Sequence, residues 1–254
     1  MRRGSGIRLR IPGIVLLAMI ALVTAHYKLD VFAGVRGTKH DLSSSSSSLI
    51  KAKAGVTTEI CVFCHTPHGA INPTGLGAPL WNHNLSTANY TVPDSSMPAF
   101  STMLSVVGQP DRGSRLCLSC HDGTVALGSL ANTPGPGSKG SLEMVQNTAD
   151  IVYMPPGLTR LGTDISGHHP VSIAVNDALI GARNCDFYSA SLAYPTGAVK
   201  LRPTNAQYNG QFGKDGKGVQ CRSCHDPHNN NPSWGNFFVK PYSQLCISCH
   251  VGCP

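Results

Sequence analysis

Hydrophobic residues occur along this 254-residue chain in short, isolated groups rather than in long periodic runs. The groups SVVG (105–108), GAVKL (197–201) and NFFVK (236–240) predict short strands, and VNDALIGA (175–182) predicts one helix. Glycine and proline punctuate the segments between these groups and predict turns and ordered coil. The serine run at 43–48 predicts a flexible surface loop. The expected fold class is therefore mostly irregular coil with short helices and few short strands.

The longest apolar run lies near the start of the chain and follows a basic stretch, which is typical of a signal peptide. We predict this peptide at residues 1–33, with cleavage after Ala33, although small residues also permit cleavage after Ala25. An uncleaved membrane anchor is the alternative, but the run is shorter than the ~20 residues that a bilayer span needs. Residues 34–254 are therefore expected to form a single exported domain without a stable membrane span.

The pattern Cys-x-x-Cys-His occurs four times. A cysteine pair at this spacing alone also suits zinc, an iron–sulfur cluster or a dithiol redox site. Here a histidine follows every pair, although the chain has only 11 histidines, and this arrangement indicates covalent attachment of c-type haem. The motifs span Cys61–His65, Cys117–His121, Cys221–His225 and Cys246–His250. We therefore predict four haem c groups.

Each motif supplies two kinds of group to its haem. The two thiols add to the vinyl groups of one haem edge, and one helical turn gives the sulfurs the separation that this reaction needs. The imidazole of the following histidine lies beneath the porphyrin and binds the iron. The predicted thioether residues are Cys61, Cys64, Cys117, Cys120, Cys221, Cys224, Cys246 and Cys249, and the predicted proximal ligands are His65, His121, His225 and His250.

Six further histidines of residues 34–254 compete for the second axial position of the four irons. They are His40, His68, His83, His168, His169 and His228. His68 and His228 each follow a proximal ligand by three residues, too closely to reach the opposite face of the same haem. Each is therefore expected to bind a second haem stacked against the first. His169 is favoured over His168, because Pro170 restricts the chain at the residue before it.

His40 and His83 compete for the remaining axial positions. The alternative for each is a histidine at the protein surface or one that contacts a haem propionate. Methionine is the other possible ligand type, and Met97, Met103, Met144 and Met154 are available. Because histidines already outnumber the places, we predict histidine on both faces of every iron. Such an iron has no open position for substrate and lacks the methionine that raises the potential of small cytochromes c. This predicts a low-potential electron carrier and not an enzyme.

Two parts of the chain repeat the same order of motifs. Each part has a preceding histidine, then a CxxCHxPH segment, then an LCxSCH segment. We interpret these parts, about 34–130 and 160–254, as two pseudo-repeated dihaem halves of one domain. The fold is then expected to be organised around a stacked haem chain.

Composition supports a core made largely of cofactor. Aromatic residues make up 6% of the chain, whereas it contains 27 glycines and 18 prolines. The protein without haem is therefore expected to be largely disordered. Removal of residues 1–33 lowers the formal charge from +7 to +3, and the propionates of four haems take it below zero. Nucleic-acid binding driven by positive charge is accordingly not expected.

Several segments together resemble a known family. TKHDLSS, EICVFCHTPHGA, PLWNH, LCLSCHDGTVALGS, GHHPVSI and VQCRSCHDPHN are similar in order and spacing to the tetrahaem extracellular cytochrome nanowires of the OmcE type. This resemblance implies secretion and subunits that polymerise into a filament containing a continuous haem stack. It also implies that one subunit can donate a histidine to a neighbour's haem, and both His40 and His83 are open as the donor.

Other partners implied by this role are redox proteins or extracellular electron acceptors. A discrete periplasmic electron shuttle is the alternative function. A multihaem reductase is less favoured, because such enzymes need a five-coordinate haem and all four motifs here end in histidine.

Two cysteines lie outside the haem motifs, at Cys185 and Cys253. In an oxidising compartment they could form a disulfide with each other. The alternatives are a buried thiol or, for Cys253, a bridge between subunits.

Mass spectrometry of the mature secreted polypeptide is expected to show four covalent haem additions, because each motif provides both thioether cysteines. Magnetic resonance is expected to show no vacant coordination site. Fewer than four additions, or a high-spin ferric signal, would contradict the assignment.

Overall fold

Irregular coil connects short helices and strands, which confirms the predicted fold class. The computed structural model describes residues 34–71, 80–94, 96, 108–134, 140–157, 159–182, 199–229, 231, 235 and 237–250. Its α-helices are α1 (Arg112–His121), α2 (Asp177–Ala182), α3 (Cys221–Cys224) and α4 (Tyr242–Leu245). Short 3-10 segments span Cys61–Phe63, Lys214–Gly216 and Cys246–Ser248. Within the described ranges, no helix is both long and apolar enough to cross a bilayer.

The strands are two or three residues long and form small antiparallel sheets. They are β1 (Ile50–Ala52), β2 (Ser129–Leu130), β3 (Gly140–Ser141), β4 (Met144–Gln146), β5 (Ala149–Ile151), β6 (Ile173–Ala174), β7 (Arg202–Pro203), β8 (Gln207–Tyr208), β9 (Gln211–Phe212) and β10 (Lys217–Val219). The two three-stranded sheets have the orders β1-β4-β5 and β6-β10-β7, and β2-β3 and β8-β9 form pairs. In the first sheet Ala52 pairs with Met144, which in turn pairs with Ile151.

The predicted helix at 175–182 is confirmed as α2. The predicted helical turns of the haem motifs are also present, since a short helix begins at the first cysteine of three motifs and the second motif lies within α1. Two predicted strands are absent from the described residues. Val199–Leu201 is coil, and Val199 packs in a hydrophobic cluster, while residues 197 and 198 of this predicted strand lie outside the described residues. Phe238 forms only an isolated bridge with His225. The signal peptide and residues 105–107 of the third predicted strand lie outside the described residues.

The apolar core is divided into small clusters, several of which adjoin the haem motifs. The first contains Ala52, Phe63, Leu127, Met144 and Met154. The second contains Tyr90, Leu118 and Ile165, the third Val175 and Ile180, and the fourth Val199, Val239 and Leu245. Haem-motif cysteines pack against two of them, Cys120 on the first and Cys224 and Cys249 on the fourth. The apolar side chains thus collect around the positions where haem would be attached.

The serine run forms turns and coil, as a loop does, but it is partly buried and does not lie wholly at the surface as predicted. Ser43 and Ser46 are buried. The Ser43 hydroxyl donates to Asp41 Oδ1 at 2.6 Å, and the Ser48 hydroxyl donates to the Thr38 carbonyl at 2.6 Å. Small hydroxyl side chains satisfy backbone and carboxylate groups locally, which lets a polar segment pack without apolar residues. This segment holds the turn that carries His40.

A buried polar junction joins α1 to α3, the helices of the second and third haem motifs. Its centre is Gln220, which is 1% exposed. Gln220 Oε1 accepts hydrogen bonds from Ser114 N at 2.9 Å and Ser114 Oγ at 2.6 Å, while Gln220 Nε2 donates to Asp111 Oδ1 at 2.6 Å. Ser114 Oγ in turn accepts from the Cys221 backbone N–H at 3.2 Å. These bonds fix the start of one haem motif against the helix of the other.

Replacement of Gln220 by Ala is expected to lower the free energy of unfolding of the holoprotein by about 1–3 kcal/mol, because it leaves buried hydrogen-bonding groups unsatisfied. Chemical denaturation followed by circular dichroism measures this change. Gln207→Ala, at an exposed position in β8, is the control and should stay within about 0.5 kcal/mol of wild type. Equal losses in both variants would contradict a special role for this junction.

Candidate functional site

Each haem motif forms a hydrogen-bonded turn. In the first, third and fourth motifs the histidine N–H donates to the carbonyl of the first cysteine, at 2.8, 3.0 and 2.9 Å. The second motif lies within α1. Residues three apart in such a turn lie on the same side, so the two thiols of a motif can reach one edge of a flat ring. The following histidine is then close to the same ring.

Thiols of successive motifs lie next to one another. Cys117 is hydrogen-bonded to Cys221, and this bond together with burial raises the pKa of Cys117. Burial, followed by the charge of the neighbouring Cys249, raises the pKa of Cys224 to about 11. The second motif therefore adjoins the third, and the third adjoins the fourth.

The thiols of the first and second motifs also influence each other. Cys64 is accessible to solvent, yet the surrounding protein desolvates it and, with the charge of Cys120, raises its pKa to about 12. Burial also raises the pKa of Cys120 to about 12. Each of the four motifs is thus a neighbour of the next.

Three proximal histidines face a second histidine from a distant part of the chain. The ring centroids of His40 and His121 are 6.1 Å apart with planes at 70°, those of His65 and His228 are 6.1 Å apart at 26°, and those of His169 and His250 are 6.3 Å apart at 69°. Every pair joins one CXXCH histidine to one of the predicted distal candidates.

These separations fit two imidazoles on opposite sides of one iron. A metal–imidazole bond is about 2.0 Å and the ring centroid lies about 1 Å behind the nitrogen, so the two centroids should be roughly 6 Å apart. The stacked rings of His40 and Phe237, by contrast, have centroids only 4.3 Å apart. The residues present therefore fit a bis-histidine haem. Among the described residues, no cluster of three or more His, Cys, Asp or Glu side chains could hold a bare metal ion.

Hydrogen bonds on the outer ring nitrogens favour the ligating tautomer. His121 Nδ1 donates to the Thr159 carbonyl at 2.7 Å, and His169 Nδ1 donates to the Pro170 carbonyl at 2.9 Å. A proton held on Nδ1 leaves Nε2 unprotonated and available to a metal. His228 Nδ1 lies 3.7 Å from a carboxylate oxygen of Asp226, which favours the same arrangement.

His40 is held differently from the other axial candidates. Its Nδ1 is buried and has no hydrogen-bond partner. Burial, followed by the charges of the nearby His121, His225 and His228, lowers the pKa of His40 to about 4. The ring is therefore neutral at neutral pH, which is the form that binds metals. The turn beneath it is closed by Asp41, whose carboxylate accepts from the Gly37 N–H at 2.9 Å.

The other predicted ligands lie outside these pairs. His83 is buried, with Nδ1 2.9 Å from the Asn84 carbonyl and Nε2 3.2 Å from the Ala126 carbonyl. Its two ring nitrogens thus both lie against backbone oxygens. His168 and His68 are exposed.

The remaining sulfur-containing candidates are accounted for as follows. Met144 and Met154 are buried in the first hydrophobic cluster. Cys185, Cys253, Met97 and Met103 lie outside the described residues.

The two CxxCHxPH segments bind the chain that follows them in the same way. His65 bridges to Trp81, and His225 bridges to Phe238. The carbonyls of Cys64 and Cys224 accept from the next residue of the returning segment, Asn82 or Val239, at 3.0 Å in both cases. The sequence does not predict these aromatic neighbours, because the residues of NFFVK favour a strand. The hydrophobic group after each CxxCHxPH segment, LWN in one half and FFV in the other, was the available signal.

Paired cysteines, facing imidazoles and a coil-rich fold define a c-type haem-binding protein. A family model described as "Doubled CXXCH motif" matches residues 214–252, which contain the third and fourth motifs. This match indicates a haem-binding, electron-transferring cytochrome of the c type. No curated protein matched the chain.

Replacement of His169 by Ala is expected to open one haem to carbon monoxide in the reduced protein, because the iron that His250 would bind loses its second imidazole. The optical spectrum measures carbon monoxide binding, and mass spectrometry should still count four haems. His168→Ala is the matched control, since His168 is the preceding residue and is exposed like His169 but is not part of a facing imidazole pair. Carbon monoxide binding by the His168 variant alone would reverse the assignment.

His228→Ala should similarly open the haem bound by His65.

Proposed function

We propose that this protein carries electrons through four covalently bound c-type haems, each with histidine on both faces. The observation that carries this proposal is the set of three facing imidazole pairs, at 6.1, 6.1 and 6.3 Å. Haem supplies an iron that changes oxidation state, and with two strong-field ligands it does so with little rearrangement. The chain holds the imidazoles, sets their tautomers and covers the ring faces.

Contact between successive motifs supports transfer along a row of haems. A porphyrin edge would be attached at each cysteine pair, so the closeness of Cys117 to Cys221 places the attachment points of the second and third haems side by side. Cys64 with Cys120 and Cys224 with Cys249 relate the other successive motifs in the same way. Electron transfer weakens steeply with distance, so neighbouring attachment points favour exchange between successive haems. We propose that the haems form one stack.

We further propose that the protein is secreted and polymerises into an extracellular filament, with residues 1–33 acting as the signal peptide. The family resemblance of the motifs supports this role. In a filament the haem row of one subunit would continue into the next and end at an extracellular electron acceptor or a redox partner protein.

We assign His68, rather than His40 or His83, as the histidine donated to a neighbouring subunit. His40 already faces His121, and both nitrogens of His83 lie against backbone carbonyls. His228, the equivalent of His68 in the second half, serves the haem of the other half by facing His65. By analogy, His68 would bind a haem of the next subunit.

The exposure of His68 supports this assignment. Its side chain is exposed, and its imidazole makes no hydrogen bond or ring contact with another described residue. Its backbone is nevertheless held, because the His68 carbonyl accepts from Thr66 Oγ1 at 3.0 Å and from Asn132 Nδ2 at 3.0 Å. A ligand fixed at its backbone and open at its ring suits coordination across a subunit boundary.

His68→Ala is expected to abolish filaments in negative-stain images of the secreted protein, because the coordination bond between subunits is lost. His168→Ala, a second exposed histidine, should polymerise like wild type. Mass spectrometry should count four haems in all three proteins.

Two outcomes would contradict parts of the proposal. Normal filaments from the His68 variant would show that another residue joins the subunits. A wild-type protein that stays monomeric at high concentration would favour a discrete shuttle over a filament.

A further inference from the structure

Two consecutive phenylalanines contact axial-ligand histidines of different haems. The Phe237 ring is stacked on His40, with centroids 4.3 Å apart and planes at 11°. The Phe238 ring is stacked on His225, with centroids 4.8 Å apart and planes at 28°. His40 faces the proximal ligand of the second motif, whereas His225 is the proximal ligand of the third. This dipeptide therefore lies between two successive haem sites.

The backbone around the dipeptide is fixed to the third haem motif. The Phe237 carbonyl accepts from the Asp226 N–H at 2.8 Å, and the Phe238 carbonyl accepts from Asn229 Nδ2 at 2.8 Å. The next residue, Val239, donates to the Cys224 carbonyl at 3.0 Å. Phe237 has a φ of 57°, in the left-handed region that non-glycine residues rarely adopt. These bonds hold a strained conformation that presents both rings to imidazoles.

The first half of the chain shows that this backbone does not require a phenylalanine. Leu80 occupies the position equivalent to Phe237, with a φ of 55°. Its carbonyl accepts from the Thr66 N–H at 2.9 Å, as the Phe237 carbonyl accepts from Asp226. Leu80 is nevertheless 52% exposed. The same turn thus forms around leucine, and the ring of Phe237 serves the contact with His40.

His40 needs such a contact because no hydrogen bond orients its ring. Nδ1 of His121 and of His169 donates to a backbone carbonyl, which fixes the plane of each imidazole. Nδ1 of His40 is buried without a hydrogen-bond partner. Rotation of this imidazole about its bond to Cβ is limited instead by the nearly parallel ring of Phe237.

We propose that Phe237 is a positioning residue that sets the imidazole plane of His40, and that Phe238 extends this control to His225 on the next haem. The proposal rests on the proposed function in one respect, namely that His40 and His121 bind the same iron. The angle between two axial imidazole planes determines how far the iron d orbitals that interact with them are split. Phe237 therefore adjusts the electronic structure of one haem from outside its coordination sphere.

Electron paramagnetic resonance of the ferric holoprotein measures this angle. Nearly perpendicular planes give a highly anisotropic low-spin signal, and nearly parallel planes give a rhombic one. The angles of 70° and 69° predict anisotropic signals for two haems, and the angle of 26° predicts a rhombic signal for a third. Phe237→Leu, which copies the residue of the first half, is expected to lose or shift one anisotropic signal only.

Two further variants serve as controls. Phe237→Tyr keeps a ring against His40 and should retain the wild-type spectrum. Phe212→Leu removes an exposed phenylalanine of β9 that makes no ring contact with a described histidine, and it should also leave the spectrum unchanged. Mass spectrometry of each variant counts the attached haems.

The outcomes separate this inference from the proposed function. An unchanged spectrum in Phe237→Leu overturns the inference, as does loss of a haem from both Phe237 variants, because the residue would then serve packing alone. Loss of a haem from Phe237→Leu but not from Phe237→Tyr supports it. A wild-type protein with fewer than four haems or with high-spin iron would instead overturn the proposed function, before any variant is compared.

Discussion

Two imidazoles that face each other across 6.1–6.3 Å, a separation that a bis-histidine haem would fit, are the constraint on which the rest of this structure depends. One ring of each pair comes from a CXXCH motif and is placed by a local turn. The other comes from a remote coil segment that must be held by its own contacts. The other contacts of the fold bring such segments to the haem motifs.

Those contacts are mainly polar hydrogen bonds, which explains how a chain poor in aromatic residues folds. Asp41 and the serine run hold the turn of His40. Gln220 joins the helices of the second and third motifs. Buried polar groups tolerate few alternative arrangements once all partners are satisfied, so such junctions fix geometry without a large apolar core. The small hydrophobic clusters then lie against the cysteines, where haem would complete them.

Predictions from the sequence succeeded where a few adjacent residues suffice. The coil-rich fold, the helix at 175–182 and the turns at the haem motifs follow from local composition and spacing. Predictions that required packing failed or stayed open. The serine run has the composition of a flexible loop, yet its hydroxyls have partners that only the folded chain provides. The segment at 236–240 has strand residues, but its phenylalanines stack on imidazoles rather than joining a sheet.

The division between local and long-range information is clearest at the irons. Five consecutive residues contain everything needed to attach a haem and bind one face of its iron, so the motifs and the proximal ligands can be read directly from the amino-acid order. The second ligand comes from far along the chain, and six histidines have equivalent chemistry for that place. Which of them faces His65, His121 or His250 depends on turns, buried hydrogen bonds and ring contacts that exist only after folding, because the six imidazoles are chemically identical.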